Sequence, residues 1–456
     1  MIFNAFFTTT TLTNIIPSNL GGIVLTGIST PVDLGPLEEL QLTLEISVDT
    51  GPPTIDGSIL FDFEPGINDI TVLVTGTRVL ALPYLFQAGL QETLNWKTQV
   101  MTSNDGYEQR TKLRSSPRQG FTGNISIPRG EIIPLDILLY GWRINRFGVP
   151  VSSECRNLTS PTTGSSTIIN VSTEFADFRV GGLGMIYISP RNFELFTINS
   201  LTTTQIEATA IISTVFGITA LVMPMRVGRF LSSPIRSTDG DNQRLDFNFI
   251  ITENATLATS PSAVQYKGLD VFLDPPLTID NFATDQYTNR VDVADYGTGL
   301  QDTFAPWLKT KIQRQFGLQF DTLEDVWNYR LWLHRREGKL RPFWMPTFEA
   351  NMILVSTGAL DIQLFIEDDG QDTLSAERDD IGILTTSGWI FREISSITIS
   401  APNLEVTLTS SAGVNAEDVI MISWLGRKRL TSDNLQINWN GNDTANAVVP
   451  TTVINN

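Results

Sequence analysis

EIIPLDILLYGWRINRFGVPVS (131–152) and TLEDVWNYRLWLHRREGKLRPFWMPT (322–347) decide how this sequence is read. Each follows an aromatic strand-like stretch, RQGF (118–121) or RQFGLQF (314–320). Each then runs from a helix-compatible segment with a Leu/Trp core into a basic-aromatic stretch ending at a proline, Pro150 or Pro346, 196 positions apart. Working outward, FELFTINSLTTTQIEAT (193–209) matches FREISSITISAPNLEVT (391–407), with Ile198 and Ile397 offset by 199. MPMRVGRFLSS (223–233) matches MISWLGRKRLTS (421–432), with Arg229 and Arg427 offset by 198, and LDFNF (245–249) echoes LQINW (435–439) at 190. Chance similarities would not stay collinear over such a distance, so the chain reads as an internal duplication.

That reading divides the sequence into four parts. Residues 1–90 form a β-rich N-terminal docking region, with the alternating runs LQLTLEISVD (40–49) and ITVLVTG (70–76) separated by the turn signal TGPP (50–53). The first repeat spans 91–278, a polar connector 279–299, and the second repeat, with a short C-terminal tail, 300–456. One helix is expected per repeat, at ILLYGWRI (137–144) and VWNYRLWLHRRE (326–337). In the second, Val326, Tyr329, Leu333 and Arg336 share a face, with Asp321 as N-cap and Gly338 just past the C-terminus. The fold class is therefore mainly β with minor α: two tandem, sequence-similar β-rich repeats, each with one helix, behind an N-terminal β-rich region.

Composition agrees. The 456 residues are only 18% charged, and the gap is filled by Thr, Ser, Asn, Gly, Ile and Val, the residues of strands and turns. A formal charge of −18 argues against wrapping nucleic acid, which needs a basic footprint. A single cysteine, Cys155, permits no intrachain disulfide, and with one histidine, His334, no Cys₄, Cys₂His₂ or His₃ zinc site can form. IEATAIISTVFGITALVM (206–223) is long enough for a membrane span, but Glu207, Gly217 and its β-branched residues favour a hairpin turning near Phe216–Gly217. MIFNAFFTTTTLTNII lacks the basic start and cleavage site of a secretory signal.

Catalytic constellations are not legible. His334, in WLHRRE, reads as a helix-surface residue beside two arginines, and Cys155, in SSECRNL, as a buried or loop thiol. The acidic runs EDDGQD (367–372), ERDD (377–380) and STDGDNQ (237–243) lack EF-hand spacing and read as loops, with a weak calcium site in them left open. VGGLG (180–184) reads as a turn or bulge. No enzyme activity, cofactor or metal is expected. The conspicuous chemistry is aromatic residues interleaved with arginine in RREGKLRPFWMPTF (335–348), a pattern of single-strand nucleic-acid platforms and of protein interfaces; the chain's acidity and the recurrence of such a stretch in WRINRFGVP (142–150) favour a packed core or a protein interface.

LNWKTQVMTSNDGYEQRTKLRSSPRQGF (94–121) resembles a motif of minor tail and tail-tip proteins of long-tailed bacteriophages. There a Trp and a Thr precede a polar loop, then G-x-E-Q-R, a Leu-Arg pair and P-R. Here those positions are Trp96, Thr98, Gly106, Glu108, Gln109, Arg110, Leu113, Arg114, Pro117 and Arg118. GKLRPFWMPTFEAN (338–351), with Arg341, Phe343, Trp344 and Pro346, is similar to a second stretch of that family, and ISWLGRKRLTSDNLQINW (422–439) to a third. The chain departs from the pattern at Gln99-Val100, where relatives carry Asp-Val, and at Asn351, where they carry Asp; both weaken any carboxylate role there.

The resemblance implies a virion structural protein of the tail tip or baseplate, made in the bacterial host cytoplasm. It would form a ring or adaptor between the tail tube and the distal hub or fibres. Its partners would be itself (as a trimer or hexamer), tail-tube, hub and other baseplate proteins and tail fibres, with no membrane, and DNA at most passing through a lumen. Three copies of a two-repeat chain would present six similar units around one axis. The motif residues would then be scaffold: Glu108, Arg110 and Arg114 as ion pairs fixing the loop after Trp96, and Trp344 as an anchor. The alternative is a receptor- or carbohydrate-binding tail protein using exposed aromatic residues and acidic loops.

Overall fold

The computed structural model describes residues 2–46, 54–77, 79–143, 145–239, 242–277, 283–307, 310–370, 378–441 and 443–454. The TGPP turn, residues 371–377 between and within the two acidic runs and the centre of 237–243 lie outside them. The described chain is mainly β, with two α-helices, neither long and apolar enough to cross a membrane. It divides into two compact units, one formed by Met1–Gln87 and Gly123–Glu253, the other by Ala88–Thr122 and Asn254–Asn456. The segment read as opening the first repeat thus belongs with the second, and the N-terminal region belongs with the first.

In the first unit, Val32–Leu34, Thr10–Ser18, Thr54–Phe63 and Ile70–Thr77 form a sheet in that order. The alternation in TIDGSILFDF puts Ile59, Phe61 and Phe63 on one face with Leu12 and Leu34, as a half-buried strand requires. The larger part of the unit is a second set of ladders. Phe147–Pro150 and Leu183–Ser189 both pair with Leu221–Phe230. Leu183–Ser189 also pairs with Asn192–Leu201, which pairs with Gln205–Ile212, which pairs with Ser166–Asn170. Ile235–Asp239 and the end of Leu221–Phe230 pair with Asn242–Ile251. The expected 206–223 hairpin does not form: its two strands, Gln205–Ile212 and Leu221–Phe230, pair with other neighbours. Sharing a two-sided core that includes Ile206, Ala208, Ile212, Phe216 and Val222 explains the unbroken apolar run without a hairpin turn.

The helix of this unit, α1 (Ile132–Tyr140), starts five residues earlier than 137–144 and ends at Gly141. Pro134 in the first turn costs no hydrogen bond, since those amides have no intrahelical partner. Of its side chains, Leu135 is fully buried, whereas Ile133, Ile137 and Tyr140 face solvent.

In the second unit Phe343–Pro346 and Asp380–Thr385 both pair with Val419–Leu430. Asp380–Thr385 pairs with Gly388–Ser400, that strand with Asn403–Leu408, and that with Gln363–Glu367. Asn434–Trp439 and the end of Val419–Leu430 pair with Ala445–Val453, which also pairs with Lys311–Phe320. A core that includes Leu364, Ile381, Ile383, Val406, Ile422 and Trp424 fills the interior.

The helix α2 (Leu323–Arg336) is capped by Thr322, not Asp321: the Asp325 amide donates to Thr322 Oγ1 at 3.2 Å. Glu324 and Asp325 sit at its positive end and Arg335 and Arg336 at its negative end. Glu337 takes the left-handed conformation (φ 51°) before Gly338. Val326, Tyr329, Leu333 and Arg336 are all buried.

Two arms complete the unit. The first is the strand Leu90–Asn95, paired on one side with the start of Arg118–Pro128 and on the other with Asn434–Trp439, followed by the hairpin Thr98–Thr102/Glu108–Lys112. The second occupies the stretch read as a connector. Thr284–Thr288 pairs with the start of Lys311–Phe320 and is followed by the hairpin Asp292–Asp295/Gln301–Phe304.

Candidate functional site

The first arm places most of the sequence-singled residues in one region of the second unit. Its root is a knot on Asp433. The Trp96 amide donates to the Asp433 carbonyl (2.8 Å), the Thr98 amide to Asp433 Oδ2 (2.7 Å) and the Lys339 amide to Oδ1 (2.9 Å). Three chain segments thus meet on one residue. Gly338 makes room for it: at φ +68° a side chain there would be strained, and its Cβ would collide with Asp433 Oδ1. Trp96 is buried with its ring edge-on to His334, centroids 5.6 Å apart.

Further along, Glu108 accepts from Lys311 Nζ at 2.9 Å and from Arg429 Nε and Nη2 at 2.6 and 3.0 Å, with all three side chains buried or nearly so. Burial alone would raise the Glu108 carboxyl, but the hydrogen bonds and charges of Arg429 and Lys311 outweigh it and hold the group below the usual carboxylate range. Arg110 is half-buried beside it. Desolvation lowers its pKa and the nearby Arg429 and Arg427 add to that, while Glu108 opposes them. Gly106, at φ +92°, forms the hairpin tip against the Trp307 ring.

Arg114 differs from expectation. It does fix the loop after Trp96, but through carbonyls rather than a carboxylate: Nη1 donates to the Asn95 and Trp96 backbone oxygens (2.7 and 3.5 Å) and to Asn95 Oδ1 (3.0 Å). Strand ends leave carbonyls unpaired, and a guanidinium fork satisfies several at once. Pro117 is buried, whereas Arg118 and Leu113 are exposed.

The 338–351 stretch is mostly core. Phe343 is fully buried against Trp332 (5.1 Å, edge-on) and under the Arg336 guanidinium. Trp344 packs edge-on to Tyr266 at 5.4 Å, and buried Pro346 lies opposite Leu425. Arg341 is exposed and bonds Glu337 at 3.1 Å. Asn351 Oδ1 accepts the Trp424 amide at 3.1 Å, a role its amide fills without a carboxylate. His334 is buried, not on the helix surface, because the first arm covers its side of α2; its Nδ1 faces the Leu257 amide at 3.5 Å. Cys155 is half-buried, and desolvation pushes its thiol up. Among the described residues no group of three or more His, Cys, Asp or Glu could hold a metal ion.

Sequence reasoning missed the buried charges. Glu92, fully buried, accepts from Arg330 Nη2 (2.7 Å), Gln119 Nε2 (2.7 Å) and Trp439 Nε1 (3.2 Å). The signal was present: in LQETLN, Glu92 shares the buried phase of Leu90 and Leu94, and a carboxylate there requires partners. Lys428 is likewise buried, its nearest polar partner Met345 Sδ at 3.8 Å. In the first unit, Asp177 joins Arg226 at 2.6 Å and Arg179 across a buried cluster.

The arrangement binds segments together. Replacing Glu108 by glutamine is expected to free the hairpin, costing roughly 2–3 kcal/mol as charge-assisted bonds to two buried cations are lost. Limited proteolysis should then cut within 98–112 first; a variant as resistant as the parent would refute the clamp. Neither a family model nor a curated protein matches this chain.

Proposed function

We propose that this chain is a structural subunit of a bacteriophage tail tip, duplicated internally and assembled into a ring between tail tube and distal hub or fibres. The observation that carries the duplication is that the same ladder order runs through both units, down to one irregularity. Ile198 faces Ala208, then a bulge resets the register to Ser200–Glu207; Ile394 faces Leu408, then a bulge resets it to Ser396–Thr407. Bulges are placed features, and the same one on the same strand pair favours common origin.

Ladder positions also refine the sequence matches. They align Ile198 with Ile394 rather than Ile397. They align Arg229, one residue past the partner of Phe147, with Arg429, one residue past the partner of Phe343. LDFNF falls on Asn242–Ile251, whose counterpart by pairing is Ala445–Val453, while LQINW corresponds to Ile235–Asp239. The arms extend the repeat. Each residue of the second arm's ladders maps back onto the first's at one offset of 193 (288 to 95, 311 to 118, 292 to 99, 304 to 111), and Gly299 maps onto Gly106, both with positive φ.

In this reading the motif residues hold the arm in place, and the chain works through buried area rather than turnover. The test is native mass spectrometry with negative-stain class averages, with and without tail-tube protein of the same phage. A closed trimer or hexamer, with sixfold pseudo-symmetric density from three chains, is expected. A monomer that ignores tube protein but binds host glycans would replace this reading with a receptor-binding one.

A further inference from the structure

We propose that the hairpin tip of the second arm docks on the root of the first arm of another copy of this chain, so that copies join head to tail. The inference rests on the duplicated-ring reading above and names one contact that would close the ring.

The two arms already meet once inside the second unit. At the tip of the first arm, Asn104 Oδ1 accepts from Arg290 Nη1 at 2.9 Å and Glu108 accepts from Lys311 Nζ at 2.9 Å. Between them Gly106 lies against the Trp307 ring, which also carries the Lys311 ammonium at 4.9 Å from its centroid. Arg290 stands just before the second arm's hairpin and Trp307 and Lys311 just after it, so they form its root. The contact runs from the tip of one arm to the root of the next, and it is a covered one: Gly106 and Lys311 are buried.

The offset of 193 finds the same two surfaces again at the outer ends of the pair. The tip positions 104, 106 and 108 become Gly297, Gly299 and Gln301 of the second arm. The root positions 290, 307 and 311 become Lys97, Arg114 and Arg118 of the first. Here the surfaces are bare. Gly297, Gly299, Gln301, Lys97 and Arg118 are exposed, and Arg114 is half-buried.

The chemistry of the contact carries over with the positions. Both roots hold a cation at each flank, Arg290 and Lys311 in one, Lys97 and Arg118 in the other. The flat ring of Trp307 has the planar guanidinium of Arg114 as its counterpart. Gly299 matches Gly106 in conformation, with φ of 87° and 92°, and has no side chain to hold a flat group away. Gln301 replaces the Glu108 carboxylate with an amide, but its Nε2 donates to Asp295 Oδ2 at 3.3 Å and so brings a carboxylate to that place. Charge says the same over a wider area. RTKLRSSPR (110–118) carries four cations and no carboxylate, in a chain of net charge −18, and DVADYGTGLQD (292–302) carries three aspartates and no cation. Such potentials steer one surface onto the other and fix their register. A tip on one copy and a root on the next is a heterologous contact, the kind from which rings close.

The test uses the full chain carrying Lys97→Glu with Arg118→Glu on the root, and the same chain with Asp295→Lys added on the tip. Lys97 and Arg118 are exposed, so the melting temperature of the root variant should match the parent's. By native mass spectrometry the parent should form rings. The root variant should need at least about tenfold more protein to assemble, because carboxylates then face carboxylates. Adding Asp295→Lys sets opposite charges against each other once more and should restore assembly, which a folding defect in the root variant would not allow. A root variant that assembles like the parent, or a triple variant that stays monomeric, would overturn the docking contact while leaving the ring reading standing. A parent that is monomeric at high micromolar concentration would overturn both.

Discussion

Replacing Glu92 with alanine is expected to lower the stability of the second unit by about 3–5 kcal/mol, the cost of leaving a buried cation without its counter-charge. Arg330 is 2% exposed and donates to Glu92 at 2.7 Å, and no water can replace the carboxylate at that depth without a cavity. The indole Nε1 of Trp439 and the amide of Gln119 would lose their acceptor as well. Removing both charges tells the two contributions apart: Glu92→Met with Arg330→Met should recover most of the loss, because a well-packed apolar pair can match a buried ion pair. Urea unfolding followed by tryptophan fluorescence measures both. A single alanine variant within about 1 kcal/mol of the parent would mean that the cluster is not what holds the arm.

The second large effect is a gain. Lys428 lies 5% exposed between the strands of Phe343–Pro346 and Ala445–Val453. Burial pushes its amine down to about 7, with Arg314 and Arg378 adding to the shift and Asp285 and Glu349 opposing it. A lysine whose folded pKa is depressed binds fewer protons folded than unfolded, so stability rises with pH between about 7 and the unfolded value of 10.5. Below about 7 the penalty is fully present, on the order of 4 kcal/mol from a shift of this size. Lys428→Met should therefore stabilise the chain at neutral pH and flatten that rise. Thermal unfolding at several pH values from 6 to 10 checks it; a variant whose pH slope equals the parent's would show that the amine stays charged and solvated.

What was legible in the sequence was whatever repeats or alternates. The α2 segment was readable because its apolar positions recur at helical spacing and Gly338 closes it, whereas α1 was displaced by five residues because IIPLDILLY is apolar except at Asp136 and gives no periodic phase. The 206–223 hairpin failed for a related reason: an apolar run states that strands are buried but not which strands they join. Under the proposed duplication, the sequence offsets differ by two or three residues from the ladder register where similar letters sit off it, as with Gly228–Arg229 and Gly426–Arg427. Of the candidate site, Glu108 and Trp96 were found through their motif, but the partners Lys311, Arg429 and Asp433 come from sequence positions far away and no local pattern names them. Arg330 and Lys428 were passed over because charged residues are ordinarily solvated.

The strand Leu90–Asn95 pairs with Asn434–Trp439, so the first arm is made long before the edge it belongs to. As the chain leaves the ribosome, residues 1–87 and 123–253 can complete their unit while Leu90–Asn95, paired with the start of Arg118–Pro128, waits for its second neighbour. That edge closes only once Asn434–Trp439 has emerged, and the loop-closure entropy of the long-range pairing is met then. A nascent chain stopped short of Asn434–Trp439 leaves Leu90–Asn95 with an open edge, the kind of strand that invites pairing with another chain.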